Sequence, residues 1–220
     1  MRGKNKIVNM LIVFFLCFLL LKPTVASETN ISKYPETISV LRELYKGEMT
    51  AYKTYSAFAK KAMEEKYDSV ARLFSALRES ESVHARNFKN IVKEIGATLG
   101  EFPEPDIKVS TTKQNLKFAL DVELSEIDTK YPGLIERIKP EGNERALVDI
   151  TYAWKAEMQH RDLIKKMKSA LWLFFRKIVD KLKGADKYHV CQRCGSTVFE
   201  LPENFCSICG SPVSMYKEIR

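Results

Sequence analysis

Two short stretches, ESVH at residues 81–84 and EMQH at residues 157–160, share the pattern Glu-x-x-His. In an α-helix this spacing places the carboxylate and the imidazole on one face, one turn apart. Glu48 and Glu123 precede the two stretches by nearly the same number of residues. The chain therefore has an internal pseudo-repeat, in which a helix with one glutamate is followed by a helix with Glu-x-x-His. Two such pairs predict an all-α four-helix bundle.

Apolar residues recur at helical spacing in four segments of the chain. These segments are residues 36–65, 67–95, 112–138 and 144–183. Short turns join the members of each pair, whereas GEFPEPDIKVS at residues 100–110 has two prolines and no helical period. Short turns within the pairs and one long connection between them are typical of a bundle with a single crossover. Pro132 lacks a backbone N–H, so we expect it to kink or interrupt the third helix.

The acidic and histidine positions indicate a site for two metal ions. Glu126 adds a further carboxylate one turn beyond Glu123. Burying so many carboxylates inside a bundle is severely unfavourable without a cation. Carboxylate oxygens and imidazole nitrogens suit iron or manganese. The chain has three histidines, and two of them fall in the Glu-x-x-His stretches, which favours a metal site over a solvated acidic face.

Four cysteines near the C-terminus form two Cys-x-x-Cys pairs, Cys191–Cys194 and Cys206–Cys209, each followed by glycine. Two such pairs can bring four thiolates to one tetrahedral iron or zinc ion. So short a segment cannot build a stable core unaided, and a bound metal would supply folding free energy. Two disulfides are the alternative in an exported protein, but a Cys-x-x-Cys disulfide is typically redox-active rather than structural.

Residues 1–26 have the order of a secretory signal peptide: a basic start, an apolar core at residues 11–21 and small residues before Ser27. The apolar core is shorter than the roughly 20 residues that span a bilayer. We predict export to a periplasmic or other extracytoplasmic location, with cleavage near Ala26. An uncleaved anchor that contacts the membrane is the alternative.

The composition is that of an ordinary globular protein, with 45% hydrophobic and 29% charged residues, which excludes a disordered chain. The net charge of +8 includes the basic leader. The remainder is only mildly basic, so charge alone does not indicate a nucleic-acid partner.

With these motifs, the sequence resembles the rubrerythrin family over residues 36–220. The residues that carry the resemblance are GEMTAYKTYSAFA (47–59), ESVHARNF (81–88), NLKFALDVELSEIDTKYP (115–132), EMQH (157–160) and the two cysteine pairs. The resemblance implies a ferritin-like di-iron bundle at residues 27–183. It also implies a rubredoxin-like domain at residues 184–220.

The resemblance also implies the ligands of both metal centres. The di-iron ligands would be Glu48, Glu81, His84, Glu123, Glu126, Glu157 and His160. Glu126 matches the additional carboxylate that marks rubrerythrins among ferritin-like proteins. Tyr55 and Tyr131 match tyrosines that lie near the di-iron site. A mononuclear iron would be held by Cys191, Cys194, Cys206 and Cys209. Ser207 stands where the family usually has proline after the third cysteine, so zinc remains an alternative there.

In function, the resemblance implies a peroxidase that reduces hydrogen peroxide to water and takes its electrons through the rubredoxin-like iron. It implies that one iron exchanges Glu126 and His84 as ligands when its charge changes. A head-to-tail homodimer would bring the rubredoxin-like domain of one subunit to the di-iron site of the next. An exported member needs an electron donor other than cytoplasmic reductants. Two alternatives stay open: a ferritin-like protein that oxidises and handles iron, and a zinc-ribbon adaptor without redox turnover.

Overall fold

The computed structural model describes residues 33–173 and 187–220, except the side chains of residues 170–173. The helices are α1 (Pro35–Glu64), α2 (Asp68–Glu94), α3 (Thr112–Ser125), α4 (Tyr131–Ile138) and α5 (Glu144–Leu173). The predicted signal peptide and the predicted domain boundary at residues 183–184 lie outside the described residues. Over the part that is described, the helical bundle with a small cysteine module confirms the predicted fold class.

The third rod of the bundle is α3 and α4 joined by one π-helical turn, Glu126–Lys130. The predicted interruption therefore lies just before Pro132, which occupies the first turn of α4. Proline is tolerated there because the N–H groups of a first turn are not needed within the helix. The π-helical turn widens the helix at the predicted ligand Glu126, and such single turns often lie at functional sites.

Side chains cap two helix starts, one from a distant segment and one from the same turn. Glu141 accepts hydrogen bonds of 2.7 Å from the backbone N–H groups of both Glu36 and Thr37, at the start of α1. Thr111 begins α3 with a capping box, in which its hydroxyl accepts from the Gln114 N–H. These contacts satisfy N–H groups that have no partner within the helix. The Thr111 cap also fixes where the long connection ends and α3 begins.

The bundle has two apolar cores, one on each side of a buried polar layer. One core contains Phe58, Phe74 and Leu116, and the other contains Leu41 and Phe88. The predicted glutamate and histidine ligands lie between these two sets on every long helix. The apolar layers hold the rods rigidly and exclude water from the polar layer between them.

The C-terminal module is a three-stranded antiparallel sheet in the order β2-β1-β3. Its strands are β1 (Tyr188–Cys191), β2 (Thr197–Val198) and β3 (Tyr216–Ile219). Tyr188, Val190 and Ile219 from this sheet join the core that contains Phe58. The module therefore shares a hydrophobic core with the bundle.

None of the helices in residues 33–173 and 187–220 combines the length and the hydrophobicity needed to span a lipid bilayer.

Candidate metal centres

The first group of potential ligands surrounds the imidazole of His84, and it comprises Glu48, Glu81, His84 and Glu157. Nδ1 of His84 lies 3.1 Å from a carboxylate oxygen of Glu81, 3.1 Å from one of Glu157 and 3.8 Å from one of Glu48. All four residues are buried. Each offers a ligand atom within 4.8 Å of the others, so one cation could be held by all four.

The second group surrounds His160 and comprises Glu81, Glu123, Glu157 and His160. Nδ1 of His160 lies 2.7 Å from Glu157, 3.4 Å from Glu81 and 3.8 Å from Glu123. Glu81 and Glu157 belong to both groups and turn one oxygen toward each histidine. The two imidazole centroids are 6.1 Å apart. This is the arrangement of two adjacent metal positions bridged by two carboxylates.

The electrostatics of the buried layer fit a pair of cations. Oε2 of Glu123 is buried without a hydrogen-bond partner among the described residues, and such an oxygen is costly unless it has a ligand. Burial and then the neighbouring carboxylates raise the pKa of Glu123 well above its ordinary value. Burial opposes the charge of both histidines, but the surrounding glutamates outweigh it, raising the pKa of His84 well above its usual value and that of His160 to about 9. Protons on these groups therefore balance the negative charge that bound metal ions would balance. The donor set of carboxylates and imidazoles suits iron.

Tyr55 and Tyr131 are the buried partners of the terminal carboxylates. The Tyr55 hydroxyl donates to Glu123 at 2.6 Å, and the Tyr131 hydroxyl donates to Glu48 at 2.6 Å. Burial and then nearby carboxylates raise the pKa of both phenols well above the ordinary value. Both hydroxyls therefore stay protonated and orient the carboxylates they contact.

Glu126 lies outside both ligand groups. Its Oε1 accepts a 2.7 Å charged hydrogen bond from Nζ of Lys130, at the other end of the π-helical turn. Burial is the main cause that raises the pKa of Glu126 to about 8, against the lowering effect of Lys130. The structure thus brings six of the seven predicted di-iron ligands together. The seventh, Glu126, lies beside them and pairs with Lys130.

The four predicted cysteine ligands form a single cluster of free thiols. The Sγ atoms of Cys191 and Cys209 are 3.8 Å apart, and those of Cys194 and Cys206 are 3.6 Å apart. A tetrahedral ion with metal–sulfur bonds of about 2.3 Å requires sulfur–sulfur separations of about 3.8 Å. The spacing therefore fits one metal ion, and the four cysteines are free thiols here rather than the two disulfides of the alternative.

The cysteine module contacts both histidines of the buried layer from their outer side. Nε2 of His84 lies 3.2 Å from the carbonyl oxygen of Cys194, and Nε2 of His160 lies 3.3 Å from the Thr197 hydroxyl. Ser80 donates a 2.7 Å hydrogen bond to the carbonyl of Gly195. Each imidazole therefore has Nδ1 on the ligand groups and Nε2 on the cysteine module.

An ion pair between a buried carboxylate and a partly exposed guanidinium holds the same module on α5. Asp149 is 2% exposed and pairs with Arg193, which stands inside the first Cys-x-x-Cys pair. The Arg193 guanidinium also lies over the ring of Tyr152, and its carbonyl accepts from Asn87. Sequence reasoning missed these contacts and the roles of Ser80, Thr197 and Lys130. A charged residue within a metal knuckle, and a lysine four residues after Glu126, were the available signals.

Several known proteins are similar to this chain in sequence and in structure. The rubrerythrin sequence pattern matches residues 39–168. Rubrerythrin-2 of Clostridium acetobutylicum is 29% identical over 182 residues, which cover 79% of this chain and 91% of that protein. Nigerythrin of Nitratidesulfovibrio vulgaris is 28% identical over 207 residues, which cover 86% of this chain and 93% of that protein. A solved structure of nigerythrin in its fully reduced, all-ferrous state has a TM-score of 0.70 at 26% identity, covering 89% of this chain and 91% of that one.

A four-helix bundle whose inward glutamates and histidines form two bridged ligand groups defines the ferritin-like class of carboxylate metalloproteins. Within that class, the chain belongs to the rubrerythrin family. The buried layer is accordingly a di-iron carboxylate site, accompanied by a four-cysteine metal site. The resemblance and the pair of metal centres predicted from the sequence are confirmed.

Proposed function

We propose that the protein is a non-haem di-iron peroxidase that reduces hydrogen peroxide to water in oxidative-stress defence. The balanced reaction is H2O2 + 2 H⁺ + 2 e⁻ → 2 H2O. When bound, a pair of ferrous ions supplies both electrons together, as cleavage of the O–O bond requires. The observation that carries the proposal is the position of His84, which connects the dinuclear ligand groups to the four-cysteine site.

His84 provides a short path for the returning electrons. Its Nδ1 faces the first ligand group, and its Nε2 lies 3.2 Å from the carbonyl of Cys194, which is itself a predicted thiolate ligand. One hydrogen bond and a few covalent bonds therefore separate the two centres. Such a path is useful only if the four-cysteine site changes its oxidation state. The geometry thus favours iron over redox-inactive zinc in that site.

A pocket between α1 and α3 gives a small oxidant access to the buried layer. Its volume is about 370 Å³, and its lining includes Tyr55 and Glu126 from the site and Phe118 from the surface. The Tyr55 hydroxyl holds Glu123 in place beside this entrance. A peroxide molecule entering here would meet Tyr55 and Glu126.

Glu126 and His84 fit the roles of exchanging ligands. His84 already lies within the first ligand group, whereas Glu126 lies outside it. A neutral imidazole suits a ferrous ion, and an anionic carboxylate suits a ferric ion. His84 is thus in place to hold a ferrous ion, and Glu126 would have to leave Lys130 to hold a ferric one.

The test begins with metal analysis of anaerobically purified protein, followed by rapid mixing of the reduced protein with hydrogen peroxide or oxygen. We expect two to three irons per chain and oxidation by peroxide that is much faster than oxidation by oxygen. A preference for oxygen would instead indicate an iron-handling protein. A lone zinc without iron would indicate an adaptor.

Variants then test the site itself. Glu126→Ala should slow peroxide turnover by about 10–100-fold while most of the iron is retained, which is the usual effect of perturbing a residue that tunes a metal site. Glu43→Ala is the matched control, because Glu43 lines the same pocket but pairs with Arg137 on the surface. Equal turnover in both variants would contradict the ligand exchange.

The partners and location follow as further proposals. We propose a head-to-tail homodimer, in which the surface around Ser80 and His84 would receive the cysteine module of a neighbour. In the described chain the same contacts are made within one chain. Light scattering tests whether the chain forms a dimer. Turnover by mixtures of subunits with inactivating changes in different centres tests the exchange, because only exchanged modules restore turnover. We also propose an exported, extracytoplasmic protein, which fractionation with N-terminal sequencing tests.

A further inference from the structure

Lys130 is the residue that neutralises Glu126 while this carboxylate is away from the metal groups. The two side chains are held 2.7 Å apart across one π-helical turn. They are only 27% and 20% exposed, so the pair is partly shielded from water. An ion pair in such surroundings is stronger than one at the surface.

Gly47 allows the Lys130 ammonium to lie where it does. A Cβ atom on Gly47 would stand 3.0 Å from Nζ of Lys130, so the ammonium packs against the bare backbone of α1. Gly47 immediately precedes the ligand Glu48, and Glu48 is the second carboxylate whose charge acts on Lys130. The lysine thus reaches from the π-helical turn to the edge of the first ligand group.

We propose that Lys130 is a positioning residue that competes with the bound metal for Glu126. One partly buried carboxylate has two available cations, the ammonium of Lys130 and a metal ion in the adjacent group. A carboxylate that loses one partner is driven toward the other, because an unpaired buried charge is costly. Lys130 therefore sets how readily Glu126 joins the metal. The inference rests on the ligand exchange in the proposed function.

The test measures metal binding and uses no peroxide, so its failure is separate from failure of the peroxidase proposal. Metal-free protein is titrated with Co²⁺ against a competing chelator. The spectrum distinguishes the carboxylate–histidine site from the four-cysteine site, whose thiolate bands report correct folding. Lys130→Met removes the charge and keeps the length of the side chain. Lys130→Arg keeps the charge.

We expect Lys130→Met to tighten Co²⁺ binding at the dinuclear site by about tenfold, which is opposite in direction to the loss usually caused by changing a residue behind a metal ligand and equal to its lower end in size. Lys130→Arg should restore binding to within about twofold of the unchanged protein. Lys46→Met is the matched control, because Lys46 lines the same pocket while the lysine paired with Glu126 is Lys130. An equal change in the Lys46 and Lys130 variants would overturn the proposal, since it would show an effect of net charge alone.

A second variant covers the case in which Lys130→Met fails to fold. Gly47→Ala leaves every charge in place but puts a methyl group 3.0 Å from Nζ, so the ammonium must move. We expect tighter Co²⁺ binding in the same direction and of smaller size. Weaker or unchanged binding in both the Gly47 and Lys130 variants, with the thiolate bands intact, would show that the lysine has only a structural role.

Discussion

Replacing Gly195 by alanine should separate the cysteine module from the di-iron site, whereas the same change at Gly210 should not. Both glycines follow the second cysteine of a pair, and both have a left-handed backbone, with φ of +79° and +69°. A Cβ atom at Gly195 would lie 2.3 Å from Nε2 of His84 and 2.5 Å from the hydroxyl of Ser80. A Cβ atom at Gly210 would meet nothing within 4 Å. Gly210→Ala therefore measures backbone strain alone.

The size of the effect follows from these distances. Carbon and nitrogen atoms in ordinary contact are about 3.4 Å apart or more, so the module must retreat by roughly 1 Å. That retreat breaks the 3.2 Å contact of His84 with Cys194 and the 2.7 Å hydrogen bond of Ser80. Each costs about 1 kcal/mol. The left-handed backbone adds about 1–2 kcal/mol in both variants. We expect Gly195→Ala to destabilise the module by about 2 kcal/mol more than Gly210→Ala.

Urea unfolding, followed by the absorption of the metal-loaded four-cysteine site, measures this difference. Amide hydrogen exchange in α2 around Ser80 reports whether the module still covers the bundle. In single-turnover experiments, electrons placed on the four-cysteine site should reach the di-iron site more slowly in Gly195→Ala only. Equal unfolding free energies and equal transfer rates in the two variants would refute the reasoning, because strain would then be the whole effect.

Three further outcomes are expected. Asp149→Asn leaves Arg193 without its charged partner, so the free energy of unfolding of the module, measured in urea, should fall by about 1–3 kcal/mol. Removing metal with a chelator should unfold the cysteine module first, seen as loss of its amide protection, because thiolate ligation supplies folding free energy to so small a unit. In the metal-free protein, the pKa of His160 is raised from 6.5 to about 9, so the folded state binds the extra proton more tightly than the unfolded state. The stabilisation that this proton gives is fully present below pH 6.5 and is lost as the pH rises to about 9. Glu126, whose pKa is raised from 4.5 to about 8, likewise makes the folded state less stable as the pH rises. Urea titrations at several pH values should show this fall in the metal-free protein and a weaker one in the iron-loaded protein, whose imidazoles are neutral ligands.

The ligand layer could be predicted from the sequence because its determinants are local. Glu81 and His84 share a helical face by their spacing alone, and so do Glu157 and His160. A buried layer of acids requires a cation whatever the details of packing. The two bridging carboxylates, Glu81 and Glu157, are consistent with the same spacing, because a bundle turns each Glu-x-x-His pair toward the opposite one.

The position of Glu126 could not be predicted from spacing, because it depends on a competition between partners. Helical spacing puts Glu126 one turn after Glu123 and thus near the site. The π-helical turn that begins at Glu126, and the reach of Lys130 past Gly47, decide where its carboxylate rests. These depend on a close approach between two helices, which no single segment of the sequence specifies.

The docking of the cysteine module on the bundle could not be predicted from the sequence for a related reason. Gly195 has one requirement that is visible in the sequence, the left-handed turn that it shares with Gly210, and one that is not, the close approach to His84. A residue already explained by its own turn gives no signal of a second constraint. The ion pair of Asp149 and Arg193 joins segments that lie far apart in the chain, and it likewise has no local signature.

This docking also fixes the chemistry of the di-iron ligands. The Thr197 hydroxyl donates to the carbonyl of Gly195 at 3.0 Å, so its oxygen is left to accept from Nε2 of His160. The carbonyl of Cys194 can only accept, so Nε2 of His84 must donate to it. Both neutral imidazoles therefore carry their proton on Nε2, which leaves the lone pair of Nδ1 directed at the metal groups. A bundle without its cysteine module would keep every predicted di-iron ligand and lose the partners that hold each histidine in its metal-binding tautomer.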